Sequence, residues 1–251
     1  MPTGLFLDFD GVLCDSVSEC YASSWIAFYE RYRGESPRSV RISDYRLFRE
    51  YRPYIRTGED YLLIHSLIAD GVTIRDQADF DAAVSRAGAE HMATYRALLY
   101  TVREELVEQS LDRWLALHNA YAGIREPLAA LASDPYVWIV STKRQEFILR
   151  VLRGWGIRWP SERVATPVSR TKVEIIEGVM NVRRMERAVF VDDHAADLQC
   201  GDVDGLSCRL ASWGHVDPNA LDSYEYERIE LSDLLALMKE RVSADDSGYL
   251  L

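Results

Sequence analysis

The sequence predicts an α/β protein with a doubly wound parallel sheet and an inserted, mainly helical cap domain. Strand-like apolar runs occur at residues 4–9, 136–140, 163–166, 188–191 and 206–210. The last four alternate with helical patterns, and this alternation favours parallel strands with helices packed on both faces. A stretch of about 125 residues with almost no strand character separates the first two runs, far more than a crossover needs.

This long stretch is interpreted as a second domain inserted into the first. Its helices are predicted at residues 17–32, around 58–69, at 79–99 and through 104–118, with breaks at Ser36-Pro37 and Gly71. Helices of the core are predicted at 145–153, 172–182 and 197–202. The predicted domains are a core of residues 1–17 and 122–242, a helical cap of residues 18–121, and a flexible tail of residues 243–251.

Composition and charge narrow the class of function. The 251 residues carry a formal net charge of -11, which argues against nucleic acid as a partner because phosphate backbones are bound by clustered cations. No apolar run approaches the length of a membrane span, and the N-terminus has no export-signal character. The sequence therefore predicts a cytoplasmic protein with no membrane partner and with its four cysteines as reduced thiols.

Two carboxylates, Asp8 and Asp10, follow the first predicted strand, and Gly11 comes directly after them. Side chains at i and i+2 share one face of a strand, so both acids are predicted to point the same way at a strand tip. Acids this close repel unless a cation or a shared proton relieves them. The pattern suits an Mg2+ site in which one carboxylate attacks and the other moves protons. The alternative is that acids here cap the next helix, a role that Asp15 and Ser16 fit.

Hydroxyl groups follow the second predicted strand. Ser141 and Thr142 come after residues 136–140 and shortly before a predicted helix. A hydroxyl in this place can donate to a phosphate together with the N–H groups of the helix start. The alternative, favoured when the segment is taken alone, is that one of the two merely caps the helix.

A third group of polar side chains follows the strand at 188–191. Asp192 and Asp193 are adjacent and Asp197 comes one turn later, which is typical of a hard-cation site with oxygen ligands. The alternative is a pair of helix caps with Asp197 in solvent. Lys172 lies just before a predicted helix, and beside such carboxylates its ammonium group would offset their repulsion and position Asp8.

These segments resemble the four ordered motifs of the haloacid dehalogenase-like (HAD) superfamily. The motifs are DFDGVL-CDS from residue 8, VST from residue 140, Lys172, and VDDHAAD from residue 191. The insertion after the first motif resembles the C1 cap of phosphoglycolate phosphatase-like members. The resemblance implies a HAD Rossmann-like core over about residues 1–17 and 123–237.

The resemblance also implies roles for the motif residues. Asp8 would be the nucleophile that forms an aspartyl-phosphate, with its other oxygen on Mg2+. Asp10 would protonate the leaving alcohol and then activate water, and its backbone carbonyl would bind the metal. Ser141 would hold the phosphoryl oxygens, helped by the backbone N–H groups of Thr142 and Gly11.

The same resemblance implies how the charges of the site are shared. Lys172 would steady Asp8 and the phosphoryl charge. Asp193 is the candidate for direct ligation of Mg2+, and Asp192 and Asp197 would bind the ion directly or through its ligands.

Asp10 distinguishes two branches of the superfamily, because members that break carbon–halogen bonds need no leaving-group acid and resemble the family without it. The leading hypothesis is thus an Mg2+-dependent phosphatase that acts on a small phosphorylated metabolite. The alternatives are a phosphomutase with the same intermediate, and a regulatory or binding protein with the fold but no turnover. A homodimer is left open as its assembly.

An arginine row in the insertion carries a separate hypothesis. Arg49, Arg52 and Arg56 recur at helical spacing and could contact an anionic substrate from the cap. Pro53 interrupts a regular helix there, so solvated arginines are the favoured alternative. His215 is interpreted as structural.

Overall fold

This computed structural model describes residues 2–35, 40–201, 203–222 and 225–246. Its strands are β1 Thr3–Leu7, β2 Cys14–Asp15, β3 Asn119–Ala120, β4 Val137–Val140, β5 Val164–Ala165, β6 Arg187–Asp192, β7 Leu206–Ala211 and β8 Glu227–Ile229. Its α-helices are α1 Val17–Trp25, α2 Ile42–Tyr51, α3 Asp60–Ala69, α4 Gln77–Leu115, α5 Arg125–Ala130, α6 Gln145–Gly154, α7 Lys172–Arg183, α8 Pro218–Leu221 and α9 Leu231–Asp246. The predicted break at Ser36-Pro37 lies outside the described residues.

Six strands form one parallel sheet in the order β5-β4-β1-β6-β7-β8. The chain runs outward from β1 to one side through β4 and β5, and then crosses to β6 and continues to the other side. The predicted α/β class with a parallel sheet and a large helical insertion is confirmed. In such sheets the crevice for ligands lies at the carboxyl ends of the strands where the winding direction reverses. Here that place is beside β1.

The central strands are buried apolar segments, as expected for a sheet covered on both faces. All four residues of β4 are buried. The predicted apolar stripe of α6 packs inward, with Phe147, Ile148, Val151 and Leu152 buried. Burial of complete strands in this way fixes the position of their carboxyl ends, which carry the polar side chains.

Two parts of the sheet structure differ from the prediction. Strand β1 ends at Leu7, two residues earlier than predicted, because the N–H groups of Leu13 and Cys14 both donate to the Phe9 carbonyl and close a tight turn. Strand β8 and the two-stranded antiparallel pair of β2 and β3 were not predicted. These strands have only two or three residues each, too few for an alternating pattern to stand out.

The chain forms two compact units, Met1–Asp15 with Asn119–Leu251, and Ser16–His118. The predicted domain boundaries lie two residues later at the first crossing and three residues later at the second. Helix α9 continues to Asp246, so it enters the segment predicted as a tail from residue 243. Residues 247–251 lie outside the described residues.

The unit of Ser16–His118 is helical, with a core rich in aromatic side chains. Helix α1 continues as a wider π-helical segment over Ile26–Tyr32. The two predicted helices at 79–99 and 104–118 are one long element, α4, with non-helical backbone angles at Gly88 and Ser110. Helix α2 was not predicted, because its mixed polar sequence has only Phe48 and Tyr51 buried.

A buried ion pair lies in this helical unit. The guanidinium group of Arg103 donates to both carboxylate oxygens of Glu19, at 2.8 and 3.0 Å, and both side chains are buried. The Trp114 indole N–H donates to the same carboxylate at 3.3 Å. Charges removed from water in this way need such bonds to compensate for lost hydration.

The prediction of four reduced thiols differs from the structure. Cys200 and Cys208 are paired as a disulfide, with their Cα atoms 6.3 Å apart. Cys200 lies in the turn before β7 and Cys208 within β7, which brings the two residues within disulfide reach. Cys14 and Cys20 are buried.

In the part of the chain that is described, no helix combines the length and apolar character needed to cross a membrane.

Candidate functional site

The candidate site lies at the carboxyl ends of β1 and β6. These strands pair in parallel, with Leu7 beside Val191, so Asp8 and Asp192 emerge next to each other. The Asp8 N–H donates to the Val191 carbonyl at 3.0 Å and extends the pairing by one residue. Asp8, Asp192 and Asp193 are all buried.

Lys172 joins three of the predicted acids. Its Nζ lies 2.8 Å from Asp192 Oδ2, 3.0 Å from Asp197 Oδ2 and 3.3 Å from Asp8 Oδ1. Its side chain is 4% exposed, so the ammonium group replaces lost hydration with these charged partners. Helix α7 begins at Lys172 because Thr171 forms a capping box, which fixes where the side chain emerges.

Two acids of this cluster, Asp8 and Asp192, have a raised pKa, and Lys172 has one as well. Burial raises the pKa of Asp8 to about 7, an effect larger than the opposite effect of Lys172. Burial likewise raises the pKa of Asp192 to about 7, again against Lys172. Burial alone would lower the pKa of Lys172, but the three acid partners raise it well above its ordinary value. Perturbed titratable groups of this kind cluster at functional sites.

Three of the acids have the arrangement of a cation site. One carboxylate oxygen from each of Asp8, Asp192 and Asp193 lies within 4.8 Å of the others. Asp8 Oδ1 is buried and accepts no hydrogen bond within the described structure, although Lys172 lies at ion-pair distance. Hard oxygen donors with excess negative charge are what Mg2+ prefers. The donor set therefore fits a magnesium ion.

Asp192 and Asp193 are held differently. Asp192 accepts a hydrogen bond from Lys172 on Oδ2 and one from the His194 N–H on Oδ1 at 2.9 Å. Asp193 Oδ2 accepts one from the backbone N–H of His215 at 2.7 Å. Asp192 is thus bonded to Lys172 and to backbone, and Asp193 is oriented by backbone.

Asp197 contacts the cluster through Lys172. The helix predicted at 197–202 is a short 3-10 turn, Ala195–Leu198, and Asp202 lies outside the described residues. His194 occupies the N-cap of this turn, and its side chain makes no capping hydrogen bond. The alternative in which Asp192 and Asp193 cap a helix here is therefore wrong. The Asp197 side chain is 34% exposed.

Asp10 has a partner that the sequence analysis did not identify. Lys143 Nζ lies 3.3 and 3.4 Å from the two carboxylate oxygens of Asp10, and the Lys143 side chain is 2% exposed. Lys143 comes two residues after Ser141, in the bend between β4 and α6, and its N–H donates to Ser141 Oγ at 3.4 Å. Its place beside Ser141 in the sequence is the signal that could have found it.

Ser141 lies within reach of Asp8. Its side chain hydrogen-bonds the Asp8 carboxylate, which lowers the pKa of Asp8 against the larger effect of burial. Its own N–H donates to the Ala165 carbonyl at 3.0 Å. Thr142 is exposed. Helix α6 begins at Gln145, after Arg144 at the N-cap, so neither hydroxyl residue caps it and that alternative is wrong.

Two smaller expectations for the first motif concern Gly11 and Ser16. The Gly11 N–H donates to the Cys14 carbonyl at 2.8 Å and closes the turn, and its expected part in holding the phosphoryl oxygens stays a prediction. Ser16 occupies the N-cap of α1, but its side chain makes no capping hydrogen bond, and its hydroxyl lies 3.8 Å from the Cys20 sulfur.

The arginine row does not form one helical face. Helix α2 ends at Tyr51, and a 3-10 turn, Arg52–Tyr54, carries Pro53. Arg52 is buried, with its guanidinium 5.5 Å from the centre of the Tyr61 ring. Arg56 is half-exposed and pairs with Asp81 at 3.0 Å. Binding of an anion by Arg52 or Arg56 stays a prediction.

No protein-family model matches the chain, and no curated protein matches it in sequence. Solved structures do match. A protein described as a predicted phosphoglycolate phosphatase from Haemophilus somnus 129PT aligns with a TM-score of 0.61 at 13% identity, over 94% of this chain and 97% of that one. A haloacid dehalogenase-like family hydrolase from Streptococcus pneumoniae aligns with a TM-score of 0.56 at 16% identity, over 94% and 97%.

A third match bears a different name. The Protein Tyrosine Kinase A of Mycobacterium tuberculosis aligns with a TM-score of 0.53 at 18% identity, over 94% of this chain and 98% of that one. Identities this low establish a fold, and the reaction has to be argued from the site. The predicted resemblance is confirmed at that level: the chain has the fold of the haloacid dehalogenase-like hydrolases.

Proposed function

We propose that the protein is an Mg2+-dependent phosphatase that hydrolyses a small phosphorylated metabolite through an aspartyl-phosphate on Asp8. The observation that carries the proposal is the contact of one buried ammonium group, Lys172, with Asp8, Asp192 and Asp197. The Asp8 carboxylate lies beside the Lys172 ammonium group and beside the acids Asp192 and Asp193, which could hold a metal ion. Such a carboxylate is suited to attack an anionic phosphorus centre. The names of the matched hydrolases support the same class of reaction.

The residues that would hold the metal are Asp8, Asp192 and Asp193, one carboxylate oxygen of each lying within 4.8 Å of the others, together with the backbone carbonyl of Asp10. Asp197 would act through Lys172. Magnesium, when bound there, would neutralise phosphoryl charge and orient the phosphoryl group. The five aspartates of the cluster outnumber the two lysine ammonium groups, Lys143 and Lys172, which leaves negative charge for a cation to balance.

In the first half of the reaction Asp8 attacks phosphorus, and the bond to the leaving alcohol breaks. Asp10 gives its proton to the alcohol oxygen as that bond breaks. The Ser141 hydroxyl donates to a phosphoryl oxygen, and Lys172 keeps Asp8 in place while offsetting the charge that gathers beside it. The products of this half are the free alcohol and the aspartyl-phosphate.

In the second half water displaces Asp8 from phosphorus. Asp10, now ionised, takes a proton from the attacking water, so Asp8 is released as a carboxylate and inorganic phosphate leaves. Lys143 would hold the Asp10 carboxyl in one orientation through both halves, because it contacts both carboxylate oxygens.

The test is phosphate release from a panel of phosphorylated metabolites with Mg2+, using wild-type protein and Asp8→Asn. We expect turnover in the wild type and its loss in Asp8→Asn. Asp204→Asn is the matched control, because Asp204 is exposed and outside the cluster. Unchanged release by Asp8→Asn would contradict the proposal. Formation of an isomeric phosphate without net hydrolysis would favour the phosphomutase, and no turnover with any substrate would favour the regulatory protein.

A further inference from the structure

The turn that follows β7 contacts the candidate site in three places. It consists of Ser212, Trp213, Gly214 and His215, and none of them belongs to the motifs that the sequence analysis identified. Strand β7 pairs with β6 in parallel, with Leu210 beside Asp192, so the turn leaves the sheet at the same edge as the acids.

His215 supplies the first contact. Its backbone N–H donates to Asp193 Oδ2 at 2.7 Å, the shorter end of the range for such a bond. A hydrogen bond to an ionised carboxylate is stronger than one between neutral groups. Because the donor is backbone, it has no rotamers to lose, and it fixes one oxygen of Asp193 in place.

Gly214 supplies the second contact, because its lack of a side chain lets the backbone lie against Asp193. A Cβ at this position would lie 2.7 Å from the Gly11 carbonyl oxygen and 2.9 Å from Asp193 Oδ2, and it would overlap Asp193 Cβ. Favourable contacts between such atoms need about 3.5 Å. Gly11 is equally restricted on the other side, because a Cβ there would overlap the Asp193 carboxylate. Asp193 therefore lies in a slot between two glycines.

Trp213 supplies the third contact. Its indole N–H donates to the Val12 carbonyl at 3.2 Å, which ties the turn to the loop that carries Asp8, Asp10 and Gly11. The two walls of the slot are thus joined to each other as well as to the acid between them.

We propose that the Trp213–His215 turn is a positioning element of the phosphoryl-transfer site: it sets the orientation of Asp193 and thereby the affinity of the site for its divalent cation. The inference rests on the proposed function, because it takes Asp193 as a ligand of that cation. Partners of metal ligands orient them, and losing one such partner typically weakens metal binding by about 10–100-fold.

The test compares Mg2+ binding by titration calorimetry, without substrate, in wild-type protein and Gly214→Ala. The expected result is a dissociation constant raised by about 10–100-fold with the fold retained by circular dichroism. Gly178→Ala is the matched control, because a Cβ there has its nearest contact at 4.0 Å. Wild-type affinity in Gly214→Ala would overturn the proposal.

A second measurement uses the wild-type protein alone, so it stands even if Gly214→Ala does not fold. The amide resonance of His215 is followed by NMR as Mg2+ is added. Because its N–H donates to Asp193, the resonance should shift in step with cation binding, and a resonance that stays in place would overturn the proposal. Both readouts are independent of phosphatase activity, so a protein that binds Mg2+ as expected but releases no phosphate contradicts only the proposed function.

Discussion

The ammonium group of Lys172 donates a 2.8 Å hydrogen bond to Asp192, the last residue of β6. The negative charge of Asp192 is therefore balanced by a group of the protein itself, and its second carboxylate oxygen accepts a hydrogen bond from the His194 N–H. In the proposed reaction Asp192 would hold the lysine as well as face the cation, Asp8 would attack phosphorus, and Asp193 would bind the cation.

Replacing Lys172 by Met should lower kcat by about 10²–10³-fold, the usual effect of removing a fixed electrostatic partner from an active site. The substitution also leaves buried carboxylates without their counter-charge, so the free energy of unfolding should fall when no divalent cation is present. Steady-state kinetics with saturating Mg2+ measure the effect. Lys239→Met, at an exposed position of α9, is the control. An unchanged kcat in Lys172→Met would contradict the assignment.

Lys143 should matter most when the leaving group needs a proton. Without Lys143, Asp10 is no longer held for proton transfer, so Lys143→Met should lower kcat/KM by about 10²-fold or more for an alkyl phosphate. For p-nitrophenyl phosphate, whose leaving group departs without a proton, the loss in kcat/KM should be much smaller, because this constant covers only the steps up to departure of the leaving group and the activation of water by Asp10 comes later. Lys143→Arg should recover part of the alkyl activity. Equal losses for the two substrates would count against a role through Asp10.

The buried Glu19–Arg103 pair should show strong coupling in stability. Arg103→Met leaves the Glu19 carboxylate buried without its partner and should cost about 3–5 kcal/mol in the free energy of unfolding. The double variant Glu19→Leu with Arg103→Met removes both charges and should lose less than the single one. Urea unfolding of the wild type, both single variants and the double variant checks this. Additive losses would mean that the two charges do not compensate each other.

His65 should make the stability of the helical unit depend on pH. Burial lowers the pKa of His65 to about 3, among the rings of Tyr21, Phe28, Tyr29 and Phe48. Between this value and the ordinary value of about 6.5, the unfolded chain binds a proton that the folded chain does not. The free energy of unfolding should therefore fall as the pH drops below about 6.5, by up to about 1.4 kcal/mol per pH unit.

His65→Gln removes this titration, so the stability advantage of the wild type over the variant should shrink from about pH 7 to pH 5. Urea unfolding midpoints at several pH values measure it. The control is His91→Gln, because His91 is exposed and bonded to the Tyr32 hydroxyl at 2.7 Å. A constant difference between wild type and His65→Gln across this range would refute the prediction.

Much of the sheet and of the acid cluster could be predicted because both depend on short-range pattern. Apolar runs of four or five residues predict β4 and β6, and the position of the acids after β6 follows from the geometry of parallel strands. The exact hydrogen-bond partners could not be predicted. One example is the hydrogen bond from the Gly11 N–H to the Cys14 carbonyl. It depends on a turn conformation that many loop sequences can adopt, so the sequence does not single it out.

What the sequence analysis missed shares one physical cause. The Lys143–Asp10 contact joins residues 133 positions apart, and the slot for Asp193 is made by two glycines from different loops. Neither feature produces a periodic pattern in the sequence. A glycine required for space also looks the same in sequence as one required for a turn. The end of helix α2 before Arg52, in contrast, could be predicted from Pro53.

The covalent intermediate is the central claim, and chemical trapping tests it most directly. The protein is mixed with Mg2+ and a phosphorylated substrate, quenched in acid during turnover, reduced with borohydride and analysed by peptide mass spectrometry. An aspartyl-phosphate on Asp8 predicts that the peptide carrying Asp8 contains homoserine at that position, only when substrate is present. Reduction at a different aspartate, or phosphate release during turnover with Asp8 unmodified in every quenched sample, would contradict the account.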